Sequence, residues 1–481
     1  MNYRPIIKVI GIFLIILGMF MFIPAGVDII SGTKDIKVFV LSGLITILIG
    51  VVLNLSVWGR SDILGTKEAF ILTTLSWFVI AVFSAIPFYL SDIGLDFTDS
   101  FFESMSGITT TGATVIDTLD DQSRGILIWR SLLQWLGGIG IIVMAVAVLP
   151  MLQIGGMQLF RLESSDASDK ILPRATQIAG SLTLLYLSLT LLCTLAYKFS
   201  GMGLFDSLAH SMTTISTGGY STHNESFKYF DNVTIDYMAI IFMILGSLPF
   251  VLYLHLIRGK ASTFYKDTQV IAFIVTLLII VSITCLYLYF NNFGNNSEIL
   301  RIVSFNIVSI MTGTGFVTDN YMEWGSFAVI IFFFIMFIGG CAGSTSCGIK
   351  IFRFQVLFQH IKIQLKKISY PNAILVPQYN RKEIPDGASR SVMAFFLLFF
   401  LSFVLLSSVL SFMGLDTITA LSAAASALAN VGPGLGDTVG PSGSYSSLSM
   451  GVKWVLSFGM LLGRLELFTV LVILTPYFWR K

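Results

Sequence analysis

Four short strings rich in threonine, serine and glycine recur along this chain at nearly even intervals. They are Thr109-Thr110-Thr111-Gly112-Ala113-Thr114, Ile215-Ser216-Thr217-Gly218-Gly219-Tyr220, Thr312-Gly313-Thr314-Gly315-Phe316-Val317 and Ala429-Asn430-Val431-Gly432-Pro433-Gly434. Hydroxyl and backbone carbonyl oxygens can replace the water shell of a dehydrated monovalent cation. Glycine lets successive carbonyls face one way, because it adopts left-handed backbone angles without a Cβ penalty. One such string is ordinary turn chemistry. Four in register, with 106, 97 and 117 residues between the central glycines, indicate one structural unit used four times. The candidate cation ligands are Thr110, Thr111, Gly112, Ser216, Thr217, Gly218, Gly313, Thr314, Gly315, Asn430, Val431 and Gly432. The fourth string carries Val431 where the others have threonine, so its backbone is expected to contribute more than its side chains.

Each string closes a semi-apolar segment too short to span a bilayer, at about 98–110, 204–216, 299–312 and 416–430. Such segments read as re-entrant half-helices, tolerated at membrane depth only where their non-helical backbone faces protein or a water-filled path. A half-helix entering from outside aims its negative C-terminal end at the membrane centre, which favours cations there. Around these segments lie ten apolar windows of spanning length, near 8–29, 38–58, 69–91, 126–151, 177–200, 234–257, 269–291, 325–349, 391–413 and 450–478. Composition agrees, since 55% of the 481 residues are hydrophobic and only 12% charged, about half the charged share of a soluble domain.

A second mark supports the repeat. Leu136-Gly137-Gly138, Leu245-Gly246-Ser247, Ile338-Gly339-Gly340 and Leu462-Gly463-Arg464 each follow a string glycine by 24 to 31 residues. The expected fold is an all-α polytopic membrane protein with ten spanning helices. Four pseudo-repeats of span, half-helix, loop and span, at 63–160, 161–262, 263–385 and 386–481, surround a central pore behind an N-terminal two-helix hairpin at 1–62.

Ten spans place both termini on one side. That side carries twenty Lys and Arg residues against eight on the other, so both termini are expected to be cytoplasmic. The other face holds 18 of the 27 acidic residues. Among them Asp96, Asp99, Glu103 and Asp206 stand near half-helix starts and are expected to form an acidic outer mouth that concentrates cations. The first window is too long for a signal-peptide core. Four cysteines in apolar runs and four scattered histidines offer no metal-ligand or nucleophile–base constellation, so an enzyme is not expected.

Two features could control a cation path. Gly339, Gly340, Gly343, Ser344, Thr345 and Gly348 crowd the middle of a window, and glycine costs a helix roughly 1 kcal/mol each. The stretch is either an unwound loop or a GxxxG packing face between Gly339 and Gly343. Arg464 lies about 14 residues into the last window, roughly 21 Å along a helix, and must face the interior, since lipid exposure there costs at least ~2.5 kcal/mol. Glu466, two residues on, points to a different helix face. Between 350 and 390 a basic segment suits either anionic lipid or a docking partner.

The Thr-Thr-Gly-Ala-Thr, Ser-Thr-Gly-Gly-Tyr and Gly-Thr-Gly-Phe strings, the Gly-rich insert at 339–348 and the late arginine resemble the bacterial TrkH/KtrB potassium uptake family over essentially the whole chain. The N-terminal hairpin makes the chain more like TrkH. The resemblance implies potassium as transported ion, with no cofactor bound by this chain. It also implies potassium preference from glycine in all four loops, and gating by the 339–348 loop and Arg464. The expected setting is the bacterial inner membrane, and the expected partners are a second copy in a homodimer, membrane lipid and a cytoplasmic nucleotide-binding ring like TrkA, with no nucleic acid. The alternative is a symporter coupling potassium entry to protons or sodium, which would normally show inverted halves and further ionisable mid-membrane groups.

Overall fold

Apolar windows this long fold as helices because only a helix satisfies its own backbone where water is absent. A computed structural model describes residues 2–33, 35–57, 65–144, 175–293, 296–380 and 382–480. The C-terminal end of the 126–151 window, Arg60, and the stretch carrying Arg161, Lys170 and Arg174 lie outside the described residues. Among the described residues, seven helices are long and apolar enough to cross a membrane, namely Arg4–Ser31, Ile36–Ser56, Thr66–Leu90, Arg124–Val143, Gln177–Phe199, Thr268–Phe290 and Gly387–Phe412.

The other three windows are interrupted. Val233–Gly246 and Phe250–Ile257 meet at 93°, and Met450–Arg464 and Phe468–Leu474 at 108°. Pro249 accounts for the first break, since it supplies no amide hydrogen and clashes with the preceding turn. At the second, Glu466 and Leu467 take φ of 57° and 50°, which no helix continues. The 325–349 window is helical only over Ser326–Ile335. It then runs extended, with Ile338–Gly339 pairing in parallel with Ile349–Lys350 around a closed loop. Because Gly339 and Gly343 do not share a helix, the packing-face reading is excluded and the unwound loop stands.

The four half-helices are Phe97–Ile108, Leu204–Ile215, Asn296–Thr312 and Thr417–Ala429. Asp96 and Asp416 cap the first and last, accepting from the amides of Asp99 at 2.7 Å and Thr419 at 3.1 Å. All four end alike. The amides of Thr111, Gly218, Thr314 and Val431 donate to the carbonyls five residues back, of Ser106, Thr213, Ser309 and Ser426, at 2.8 to 3.0 Å. The residue just before each amide is left-handed, with φ of 52° at Thr110, 49° at Thr217, 75° at Gly313 and 50° at Asn430. This six-to-one bond around a left-handed residue is the Schellman way of stopping a helix.

The N-terminal hairpin closes tightly through small residues. A Cβ on Gly11 or Gly18 would meet the carbonyl oxygen of Gly50 or Gly43 at 2.8 Å, so the backbones touch. Asp28 ties the hairpin to the first repeat by accepting from the Gly125 amide at 2.7 Å.

Candidate functional site

The common helix ending projects each loop in the same manner, and the four loops close into a ring. After each left-handed residue and its successor comes a glycine at positive φ, Gly112 at 88°, Gly219 at 79°, Gly315 at 84° and Gly432 at 100°. A Cβ on Gly112 would strike the Gly218 carbonyl oxygen at 2.3 Å, and one on Gly219 would strike that of Thr314 at 1.8 Å. One on Gly315 would meet the Val431 oxygen at 2.2 Å, and one on Gly432 would meet that of Thr111 at 2.6 Å. Each loop therefore abuts the next, and the fourth returns to the first. Thr111, Gly218, Thr314 and Val431 hold equivalent places.

The second loop corrects the register read from sequence. Its left-handed glycine is Gly219, not Gly218, because the helix stop at Thr217 fixes the count and shifts the equivalence by one residue. Thr110, Ser216, Thr217, Gly313 and Asn430 occupy the turns beneath the ring, all buried. Asn430 is anchored by donating to Thr111 Oγ1 and the Met460 carbonyl, each at 2.9 Å. On the far side of the loops, a cavity of about 90 Å³ is lined by Gly112, Gly219, Gly315 and Gly432 together with Arg130, Tyr220 and His223.

The Gly-rich loop packs against the near side. Thr345 Oγ1 donates to the carbonyls of Ile215 at 3.0 Å and Gly246 at 2.9 Å, and Ser346 Oγ donates to that of Thr312 at 2.6 Å. Cys347 Sγ lies 3.9 Å from Thr110 Oγ1, and Thr217 Oγ1 lies 3.3 Å from Thr345 Oγ1. The break at Pro249 is part of this fit, since the Ser247 carbonyl accepts from the Cys341 amide at 3.0 Å and the Phe250 amide reaches the Gly343 carbonyl at 2.9 Å. Gly339 and Gly340 allow close approach, while Gly343 and Gly348 turn at φ of 75° and 72°, and Ser344 Oγ bonds back to the Cys341 carbonyl at 2.6 Å.

Arg464 faces inward as expected, 1% exposed. Its Nη1 donates to Cys347 Sγ at 2.6 Å and the Thr345 carbonyl at 3.3 Å, and its Nη2 to the Gly137 carbonyl at 2.9 Å. Glu466 does not pair with it. The carboxylate accepts instead from buried Arg353, and Lys350 Nζ donates to the Ser346 carbonyl. Lys350 and Arg353 therefore belong to this buried cluster rather than to the exposed basic segment in which their sequence position placed them.

The four acidic residues expected at a mouth all have partners. Glu103 is fully buried, bonds to Arg130 Nε at 2.7 Å and accepts from the Val115 amide at 2.9 Å. Asp99 pairs with Lys453, Asp96 is spent on its helix cap, and Asp206 accepts from Thr222 Oγ1 at 2.8 Å. Of the four residues expected at an acidic mouth, Glu103 and Asp99 are thus neutralised by Arg130 and Lys453 and project little field, while Asp96 and Asp206 are hydrogen-bonded and keep their charge. The histidine missed by the sequence reading is His223, whose Nδ1 meets Asp120 Oδ1 at 2.6 Å while Nε2 stands 3.7 Å from Asp206. Burial alone would depress this imidazole, but hydrogen bonds and charges from Asp206 and Asp120 raise it above its ordinary value. Also missed were Arg130 and Gln134, one helical turn apart on Arg124–Val143. An i, i+4 polar pair before the Gly137-Gly138 mark was the available signal.

Known proteins share this arrangement. A family model described as TrkH, a cation transport protein, matches residues 35–480. The Trk system potassium uptake protein TrkI of Halomonas elongata is 42% identical over all of this chain and 98% of its own length. The protein named TrkH of Salmonella typhimurium is 36% identical over the full length of both. The crystal structure of the potassium transporter TrkH from Vibrio parahaemolyticus superposes over the whole of both chains with a TM-score of 0.93 at 34% identity. The chain is a polytopic membrane protein and belongs to the TrkH family of cation transport proteins.

Proposed function

We propose that this protein takes up potassium across the bacterial cytoplasmic membrane. Permeation is channel-like through the four-loop ring. The loop at 339–348 and Arg464 gate it, and both termini lie in the cytoplasm. The observation that carries this reading is the cyclic abutment of Gly112, Gly219, Gly315 and Gly432 on their neighbours' carbonyls, four equivalent backbone oxygens around one axis. The hydroxyls and guanidinium packed under that ring support the gate assignment, since they fill the path a cation would leave by. A homodimer controlled by a nucleotide-binding ring on the cytoplasmic side completes the proposal; the relatives are named as proteins of a Trk system, which implies further components.

Flux of potassium, rubidium and sodium into proteoliposomes, with and without a pH gradient, tests it. Potassium and rubidium should enter down their own gradients with sodium far behind and no proton movement. Uptake that requires a proton or sodium gradient refutes the channel-like reading in favour of symport.

A further inference from the structure

The second loop of the ring differs from the others in one respect. Where loops one, three and four carry a side chain at the ring carbonyl, on Thr111, Thr314 and Val431, the second has Gly218 followed by Gly219. Two adjacent glycines keep the widest backbone freedom of the four loops. A carbonyl that can swing offers an ill-defined ligand distance.

The missing side chain is replaced from another helix. A Cβ on Gly218 would stand 2.4 Å from Gln134 Cδ, so Gln134 occupies the place a side chain at 218 would take. Its Nε2 donates to the Gly218 carbonyl at 2.6 Å, and its Oε1 accepts from the Tyr220 amide at 3.0 Å. The loop is thus clasped on both sides of Gly219 by one fully buried amide. One turn earlier on the same helix, Arg130 lies over the Tyr220 ring at 4.0 Å and holds the next residue.

Internal symmetry isolates the feature. Gln134 stands three residues before Gly137 of the second repeat mark, and the same place in the other units holds Met243, Met336 and Met460, all buried. Three units are apolar there, and the one polar residue faces the loop that lacks a side chain.

We propose that Gln134 is a positioning residue that fixes the Gly218 carbonyl and thereby sets the potassium-over-sodium discrimination of the ring. This rests on the reading of the ring as an ion filter. Methionine, the residue of the other three units, is the natural substitution, with similar volume and no amide.

In proteoliposomes, Gln134→Met should lower the potassium-to-sodium flux ratio about fivefold, the factor that corresponds to one hydrogen bond of about 1 kcal/mol. A merely structural role would lower all fluxes together and leave the ratio alone. Gln134→Glu keeps the acceptor for Tyr220 but not the amide donor, and it should shift the ratio in the same direction if the methionine variant does not fold. Gly219→Ala is measured alongside. An altered ratio in Gly219→Ala with an unchanged ratio in the folded Gln134 variants overturns the proposal alone. An unchanged ratio in all of them overturns the filter reading as well.

Discussion

Removal of the Arg464 guanidinium is the most direct test of the proposed gate. Arg464 Nη1 lies 2.6 Å from Cys347 Sγ, and that sulfur lies 3.9 Å from Thr110 Oγ1, in the turn that ends the first half-helix. The two links keep the positive charge within about 7 Å of a cation leaving the ring, where repulsion at an effective dielectric of about 20 amounts to ~2 kcal/mol. Arg464→Ala removes that barrier and also releases the Thr345 and Gly137 carbonyls. Rubidium flux into proteoliposomes should rise on the order of thirtyfold, since ~1.4 kcal/mol is a factor of ten. Arg464→Lys keeps a charge but loses the planar fork that reaches three acceptors at once, so it should fall between. The reasoning is refuted by a variant that elutes and melts like the parent yet conducts no faster. Equal acceleration by lysine and alanine would refute the charge argument in particular and leave the hydrogen bonds as the cause.

Gly112→Ser should cost potassium preference, because its Cβ would lie 2.3 Å from the Gly218 carbonyl oxygen and must displace that member of the proposed filter; sodium flux gaining on potassium in the same vesicles checks it. Glu103→Gln leaves Arg130 a buried, uncompensated charge and should destabilise the protein by roughly 3 kcal/mol or more, read as a lowered thermal midpoint in detergent. His223 has a raised folded pKa, so its contribution to stability is fully present below the unfolded value and is lost as pH rises through the folded one. Thermal midpoints should therefore decline from mildly acidic toward alkaline pH, and the part of that decline due to this site should vanish in His223→Asn.

Much of this pathway was legible in the sequence because its determinants are local. The half-helices were placed to within about three residues, since their lengths and their Thr-Gly endings sit in one stretch of chain. The register of the second loop was not, because Thr217-Gly218 supplies the Thr-Gly pair and only the helix stop at Thr217 shows Gly219 to be the equivalent glycine. Hydropathy hid the breaks at Pro249 and Glu466, where apolar composition continues although the helix does not. The Glu103–Arg130 and Arg353–Glu466 pairs join residues distant in the chain, and an acidic side chain near a half-helix start looks alike whether or not an arginine neutralises it.

The packing of the Gly-rich loop has a consequence for water. Ile215 and Thr312 end their half-helices, and their carbonyls are among the negative poles that would draw a cation inward. In this arrangement the hydroxyls of Thr345 and Ser346 donate toward those oxygens, and Arg464 adds a full positive charge bonded to the same loop at Cys347 Sγ and the Thr345 carbonyl. The loop with Arg464 thus behaves as a tethered substitute for a hydrated ion, satisfying the oxygens that a permeating cation and its water would otherwise meet. Withdrawing it bares several buried carbonyls at once, each of which would cost about 1 to 3 kcal/mol if left dry. If the loop is the gate proposed above, opening is inseparable from wetting, and the balance between closed and open is set by how readily water can take the loop's place.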